Sequence, residues 1–215
     1  QSVSQSVSQY KYIDLVNYEQ PNKYRIKWKD YENRKRKIEW DYTTPILTAW
    51  DTLILWYTNH KHWIYYASKE KPVIIFDDFM AKFQWIDFPF KVKSSTVKII
   101  TPKNENICNF KYLFYLMKSK DFKIMNHWRQ FIEKYSQQIF NIHNLDTQLK
   151  IVNLLDNLSN WITNLNKYLE IENINRSKQF KFYLDLLLNF WEDIKGQTDR
   201  QTDRQTDRQT DRQTD

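Results

Sequence analysis

IVNLLDNLSNWITNLNKYL, residues 151–169, places Ile151, Leu155, Leu158, Ile162, Leu165 and Leu169 at alternating spacings of four and three. That is the seam of a helix lying along a partner helix, because steps of three and four return a side chain to one face. Asp146, just upstream, is suited to cap the start by accepting from N–H groups that a first turn leaves unsatisfied. Downstream the seam breaks, with Glu172, Arg176 and Gln179 at the next positions of the register. It resumes in a shifted register as Phe180, Tyr183, Leu187 and Phe190. Two readings fit: two helices meeting near residues 167–175, or one long helix with a polar layer. In either, the stripe is too apolar to face water alone. Its cover is the other arm of a hairpin or another chain.

Working outward toward the N-terminus, the period changes. Up to about residue 120, KYRIKW (23–28) and part of KVKSSTVKII (91–100) alternate polar and apolar residues, as half-buried strands do. LILWY (53–57) and PVIIF (72–76) are short apolar runs suited to buried strands. Prolines at 45, 72, 89 and 102 separate them. Short helices are expected in FKYLFYLMKS (110–119) and HWRQFIEKYS (127–136). The fold class is α+β: a mixed, β-rich domain over residues 10–140, then a long, coiled-coil-forming helical region over 141–195.

Both ends are low in complexity. QSVSQSVSQ occupies residues 1–9, and QTDR repeats without error from residue 197 to Asp215. The second tract has no apolar residue to bury, so residues 196–215 are expected to be a disordered tail, like residues 1–9. Four codons span twelve bases, and both units can be written as tetranucleotide repeats, CAGA and CAGT. Such tracts slip in replication and shift the frame. A gene switched at its ends explains the repeats; plain low-complexity sequence is the other reading.

Hydrophobic residues make up 41% of the chain and aromatics 17%, enough for a well-filled core. Gly196 is the only glycine, so turns that need a positive φ are expected to fall on Asn and Asp. Phosphate-cradling glycine loops are excluded with it. No apolar run approaches the ~20 residues of a membrane span, and no signal-peptide pattern opens the sequence. The single cysteine, Cys108, allows neither a disulfide framework nor a thiolate cluster. A cytoplasmic chain without membrane contact is the expectation. Net charge is +7, unevenly spread: residues 10–140 hold 23 Lys and Arg against 14 Asp and Glu. A basic domain suits a polyanion, by long-range attraction and counterion release.

Catalytic groupings are scarce. Asp77 and Asp78 are adjacent, so on a strand they point to opposite faces and cannot share a proton or metal. A structural or turn role is expected. His60 and His62 lack a third metal ligand, and Cys108, Ser94 and Ser95 lack a base and its orienter. Binding of double-stranded DNA has better material. Lys91, Lys93, Ser94, Ser95 and Lys98 offer cations and hydroxyls for phosphates, with Lys82 before them. YTNHKHW (57–63) sets Tyr57, Thr58, Asn59, His60 and Lys61 on a loop that can reach phosphates or base edges. The same residues also suit an ordinary polar strand and turn.

KPVIIFDDFMAKFQWIDFPFKVKSSTVKIITPKN (71–104) and TQLKIVNLLDNLSNWITNLNKYLEIENINRSKQFKFYLDLLLNF (147–190) resemble the specificity subunits of type I restriction–modification enzymes. Within them, PVIIFDDF and DFPFKVKSS are similar to that family's target recognition domain. Gln148, Ile151 and Leu155, then Arg176, Gln179, Phe180 and Tyr183, resemble the helical conserved region that follows it. TPILTAW with LILWYTNH looks like the preceding segment, so the likeness spans most of residues 42–190.

The resemblance implies a non-catalytic chain. Its recognition domain would read one half of a split DNA site, while its helices set spacing and dock methyltransferase subunits. Those partners would methylate adenine using S-adenosylmethionine, and a separate motor-nuclease restriction subunit would cleave. Full-length relatives carry two recognition domains and two helical regions, and this chain shows one of each. Self-association through the helices, reading a two-fold-related interrupted site, is the expectation that follows. The repeat tails then read as remnants of gene switching. Trp56 and Trp63 stand where relatives often have glycine. The competing readings are a helical adaptor, a fragment of a specificity subunit without targeting activity, or a nuclease using Asp77 or Asp78. A DNA mimic should be acidic, which the basic domain is not.

Overall fold

The computed structural model describes residues 7–26, 43–120, 131 and 134–210, with side chains beyond Phe190 described at Ile194 alone. It divides into two compact units, Gln1–Leu155 and Asp156–Asp215.

In the first unit, Ser8–Lys11 (β1), a single helical turn Tyr12–Leu15 (α1) and Val16–Glu19 (β2) precede the strands Thr44–Leu47 (β3), Ile54–Thr58 (β4), Val73–Asp77 (β5), Phe83–Ile86 (β6), Lys91–Val92 (β7) and Val97–Pro102 (β8). Helix Phe110–Ser119 (α2) and strand Ile139–Ile142 (β9) follow, then helix Leu145–Thr210 (α3), whose first turns complete this unit. An antiparallel sheet runs β2-β8-β5-β6; a second runs β4-β3-β7, with β7 parallel to β3; β1 pairs with β9.

β5 explains the architecture. All five of its residues are buried, because a strand covered on both faces cannot alternate with water. Its period of two sorts Ile74 and Phe76 into one core with Tyr12, Phe110, Phe131 and Phe140. Val73 and Ile75 enter a second core with Leu47, Phe90 and Val92. β8 repeats the division, Ile100 to the first core and Val97 and Ile99 to the second. Tyr12 is the aromatic hub of the first core, edge-on to Phe131 at 6.1 Å and Tyr135 at 5.1 Å. Its hydroxyl donates to Met117 Sδ.

Several expectations change here. Ser8 and Gln9 lie in β1 rather than in a disordered tail, paired with Ile142 and Asn141. Backbone pairing is indifferent to a low-complexity side-chain pattern. KYRIKW is not an alternating strand over its described part: Asn22–Tyr24 is a 3-10 turn, and Arg25 makes an isolated bridge to Val92. The helix expected at 127–136 lies largely outside the described residues, and Tyr135–Gln137 is a 3-10 turn. Among the described residues, positive φ falls on Trp63 (56°) and Ala81 (49°), not on Asn or Asp. Each costs about 1–2 kcal/mol in a residue with a Cβ, so surrounding bonds must hold it. At Ala81 the N–H donates to the Asp77 carbonyl, while the Asp77 N–H donates to the Lys82 carbonyl.

α2 is capped by Asn109, whose side chain accepts from the Tyr112 N–H. α3 is capped by Asn144, which accepts from the Thr147 N–H at 2.9 Å. The expected cap, Asp146, instead pairs with Lys150 one turn on, at the surface; Asn144 stands one residue before the first helical turn, where a cap must sit. Gln148 joins the two helix starts. Fully buried, it donates to the Ile107 and His143 carbonyls (2.9 and 2.7 Å) and accepts from the Asn109 N–H (2.7 Å).

α3 is one helix, which decides between the two sequence readings. Glu172 and Arg176 form an i,i+4 ion pair inside it, a polar layer and not a turn. The helix also continues through Gly196 to Thr210, where a disordered tail is expected. Among the described residues no helix is long and apolar enough to cross a membrane.

Gln148→Leu should destabilise the first unit by roughly 2 kcal/mol or more, measured by urea unfolding, since three backbone groups lose the buried side chain that pairs with them. Stability should also fall above about pH 9. Burial raises Tyr12, Tyr112 and Tyr135, and pushes the Cys108 thiol up to about 12. The unfolded chain therefore loses protons that the folded chain keeps, and stability declines as pH rises through that window. Tyr12→Phe should flatten this decline in thermal melts between pH 8 and 11.

Candidate nucleic-acid interface

The three-stranded sheet carries most of the expected DNA contacts, and its register sorts them to two ends. β3 pairs Thr44 with Thr58 and Leu47 with Ile54 on β4, and Ile46 with Lys91 on β7. Residues 59–64 therefore leave one end, and Lys93, Ser94 and Ser95 leave the other. The two ends are separated by the length of a four-residue strand, on the order of 10 Å.

At the first end Tyr57, Asn59 and Lys61 are exposed, and His60 is half-buried. Thr58 is buried, its hydroxyl accepting from the His60 N–H, so it shapes the loop. Trp63 projects from the same loop, 66% exposed. The sequence reading named Trp63 as a departure from the family but not as a contact. The signal available was a large aromatic among polar loop residues.

At the other end Lys93 is exposed, with its ammonium 5.6 Å from the Trp56 ring centre. Ser95 is half-buried. The Ser94 hydroxyl is 2.8 Å from that of Thr96, which donates to Asp77 Oδ2. Asp77 Oδ1 accepts from the Phe79 and Met80 N–H groups, closing the turn after β5. Lys82, beyond that turn, is paired with the exposed Asp51.

Two expected phosphate contacts are not surface groups. Lys98 is 1% exposed, with its ammonium 3.2 Å from Asp78 Oδ2; Asp78 also accepts from the Phe131 N–H. Alternation on β8 does place Lys98 opposite Ile99, but its face is the one that Ile100 sends into the first core and not water. Lys91 is 4% exposed and donates to the carbonyls of His62 (2.7 Å) and Trp63 (3.1 Å). Asp77 and Asp78 thus serve a turn and a buried ion pair, on opposite faces as their adjacency requires. The Cys108 thiol, raised to about 12 by burial first and Glu105 second, stays protonated at neutral pH. Among the described residues no three His, Cys, Asp or Glu side chains gather as a metal site.

Elsewhere on this unit a cavity of about 700 Å³ is lined by Tyr24, Tyr65, Tyr66, Glu19, Glu70 and Glu105, among others. Its three carboxylates give it the wrong sign for a phosphate backbone.

Of the expected helix-pairing residues, Ile151 packs against the first core and Leu155 is half-buried. In the second unit Leu158, Ile162, Leu165, Leu169, Phe180, Tyr183, Leu187 and Phe190 are all exposed. The seam begins one step later than the spacing alone indicates, because Ile151 lies on the turns that the first unit buries.

No protein-family model matches the chain. The type I restriction enzyme EcoR124I/EcoR124II specificity subunit of Escherichia coli is 42% identical to it over 188 residues. The chain is a homologue of the type I specificity subunits. The match covers 83% of this homologue, which spans 44% of the relative's length. Its fold is also that of a solved structure, the type I restriction–modification S subunit of M. genitalium. There the TM-score is 0.57 at 12% identity, over 79% of this chain and 43% of that one.

Lys98→Met should cost about 3–5 kcal/mol in urea unfolding, because it leaves the Asp78 carboxylate buried and uncompensated. A phosphate contact would instead leave stability unchanged.

Proposed function

We propose that this chain is the DNA-recognition component of a type I restriction–modification complex. The first unit reads one half of a bipartite site in double-stranded DNA. The reading rests on the 42% identity across 188 residues, which spans both the basic β-rich region and the helical seam. The charge of residues 10–140 and the exposed Tyr57, Asn59, Lys61 and Lys93 support it.

The chain performs no chemistry of its own in this scheme. Asp77, Asp78 and Cys108 are committed to a turn, an ion pair and a protonated buried thiol. Methyltransferase subunits holding S-adenosylmethionine methylate adenine at the bound site, and a motor-nuclease subunit restricts unmodified DNA, in the cytoplasm. The exposed seam from Leu158 to Phe190 is covered by a second specificity helix, which sets the distance between half-sites, and it contributes to methyltransferase docking.

Co-expression with the neighbouring methyltransferase subunit, followed by genome-wide mapping of methyladenine, tests this. New methylation is expected at an interrupted motif: palindromic if two copies of this chain pair, asymmetric if a different recognition region supplies the second half. Two soluble, associated proteins with no new methylation would overturn the proposal, leaving an adaptor or a non-targeting fragment as the reading.

A further inference from the structure

The loop after β4 contains a costly conformation held by a costly group. Trp63 sits at φ 56°, in the left-handed region that a Cβ disfavours. Lys91, on the neighbouring part of the sheet, brings a 4% exposed ammonium to the carbonyls of His62 and Trp63. Burying an ammonium is unfavourable unless its donors are satisfied, and here two consecutive carbonyls at the strained residue satisfy them. The carbonyl pair and the ammonium fix each other.

The fixed conformation presents an aromatic ring to solvent. Trp63 is two-thirds exposed, although indole is among the largest apolar side chains available to a core. Lys61 is exposed two residues earlier, and His62 beside it. Two residues after Trp63, Tyr65 pairs with Phe90 through both backbone bonds, and β4 ends five residues before it, so the loop is anchored on both sides of the tryptophan. Strain retained in a residue that gains no burial points to a contact made outside the fold. Trp50, the other exposed tryptophan of this sheet, precedes β4 at its far end and lies apart from Lys61 and His62.

We propose that Trp63 is a base-stacking contact to DNA, and that Lys91 is the positioning residue that holds its loop. The ring's π-face takes an unstacked or partly opened base, while Lys61 provides the adjacent positive charge for the backbone. Lys91 touches no phosphate. This inference rests on the DNA-reading role proposed above and assigns residues within it.

The test uses the full chain and a duplex carrying the mapped methylation motif, with a duplex of unrelated sequence beside it. Trp63→Ala should weaken binding of the motif duplex at least ten-fold, while Trp63→Phe, which keeps a π-face, stays within about three-fold of the parent. Lys91→Met should accelerate amide exchange across residues 59–64 and leave the slope of log affinity against log salt unchanged. Loss of a phosphate contact would reduce that slope by about one. In a double-mutant cycle, Lys91→Met should cost less stability in a Trp63→Gly background, because glycine needs no help to keep a positive φ.

Trp63→Ala binding as tightly as the parent would overturn the stacking contact. A salt slope reduced by one, with unchanged loop exchange, would overturn the positioning role. If the parent chain binds neither duplex, the DNA-reading role itself falls and the stacking contact with it. The exchange and the cycle still decide the Lys91 clamp in that case, since neither uses DNA.

Discussion

The side chain of Gln148 ties together two segments that lie about forty residues apart in the chain. Its amide and carbonyl reach the segment before α2, the α2 cap residue and the approach to α3 with three short hydrogen bonds. Because the Gln148 side chain is fully buried, its amide must be satisfied by these backbone groups, so the geometry of all three segments is set together. The caps follow from it. Asn109 has its N–H taken by Gln148, leaving its side chain to cap α2, while Asn144 holds the first turn of α3 in place. A polar side chain thus orients the helix start against the β-rich unit more definitely than apolar packing at Ile151 and Val152 could, because hydrogen bonds are directional and dispersion contacts are not.

A second constraint is the two-faced sheet. With apolar cores on both sides of β5 and β8, every polar side chain on those strands must find a partner inside the protein. Asp78 and Lys98 find each other, and Asp77 turns onto the backbone of its own loop and onto Thr96. Such a pair contributes little net stability beyond what its desolvation costs, but removing one member leaves a buried charge. Among the described residues the buried charges are Asp77, Asp78, Lys91 and Lys98, which cancel, so burial leaves the positive balance of this unit at its surface. Of the exposed cations, Lys61 and Lys93 stand on the loops that leave the ends of the β4-β3-β7 sheet. That is where a scaffold places groups meant for a ligand, since loops can vary while the strands hold them.

The second unit poses the opposite problem. From Leu158 to Phe190 the helix exposes large aliphatic and aromatic side chains over more than eight turns, with a Glu172–Arg176 layer between two seams. An apolar stripe of that length is not stable against water as a final state. In the helix pairing proposed above, the polar layer would restrict the registers open to the second helix, as a buried polar position does in coiled coils.

Local rules acting over a few residues were legible in the sequence. The central strand PVIIF, helix α2, the heptad seam, the opposite orientation of Asp77 and Asp78, and the basic bias of the first region all depend on period, propensity or count. The likeness of residues 71–104 and 147–190 to type I specificity subunits was legible too. Whether the seam's polar interruption is a turn or a layer was not, since both satisfy the same spacing. Nor could alternation reveal that the face of Lys98 is covered as well as that of Ile99, because the period reports two faces without saying what covers each. The strained turn at Trp63 depends on Lys91, twenty-eight residues away, and Asn144 displaces Asp146 as cap through the position at which the helix begins. The sequence by itself determined which elements form and what charge they carry. Only the tertiary structure decided which lysines meet water, because burial is a property of neighbours distant in the chain.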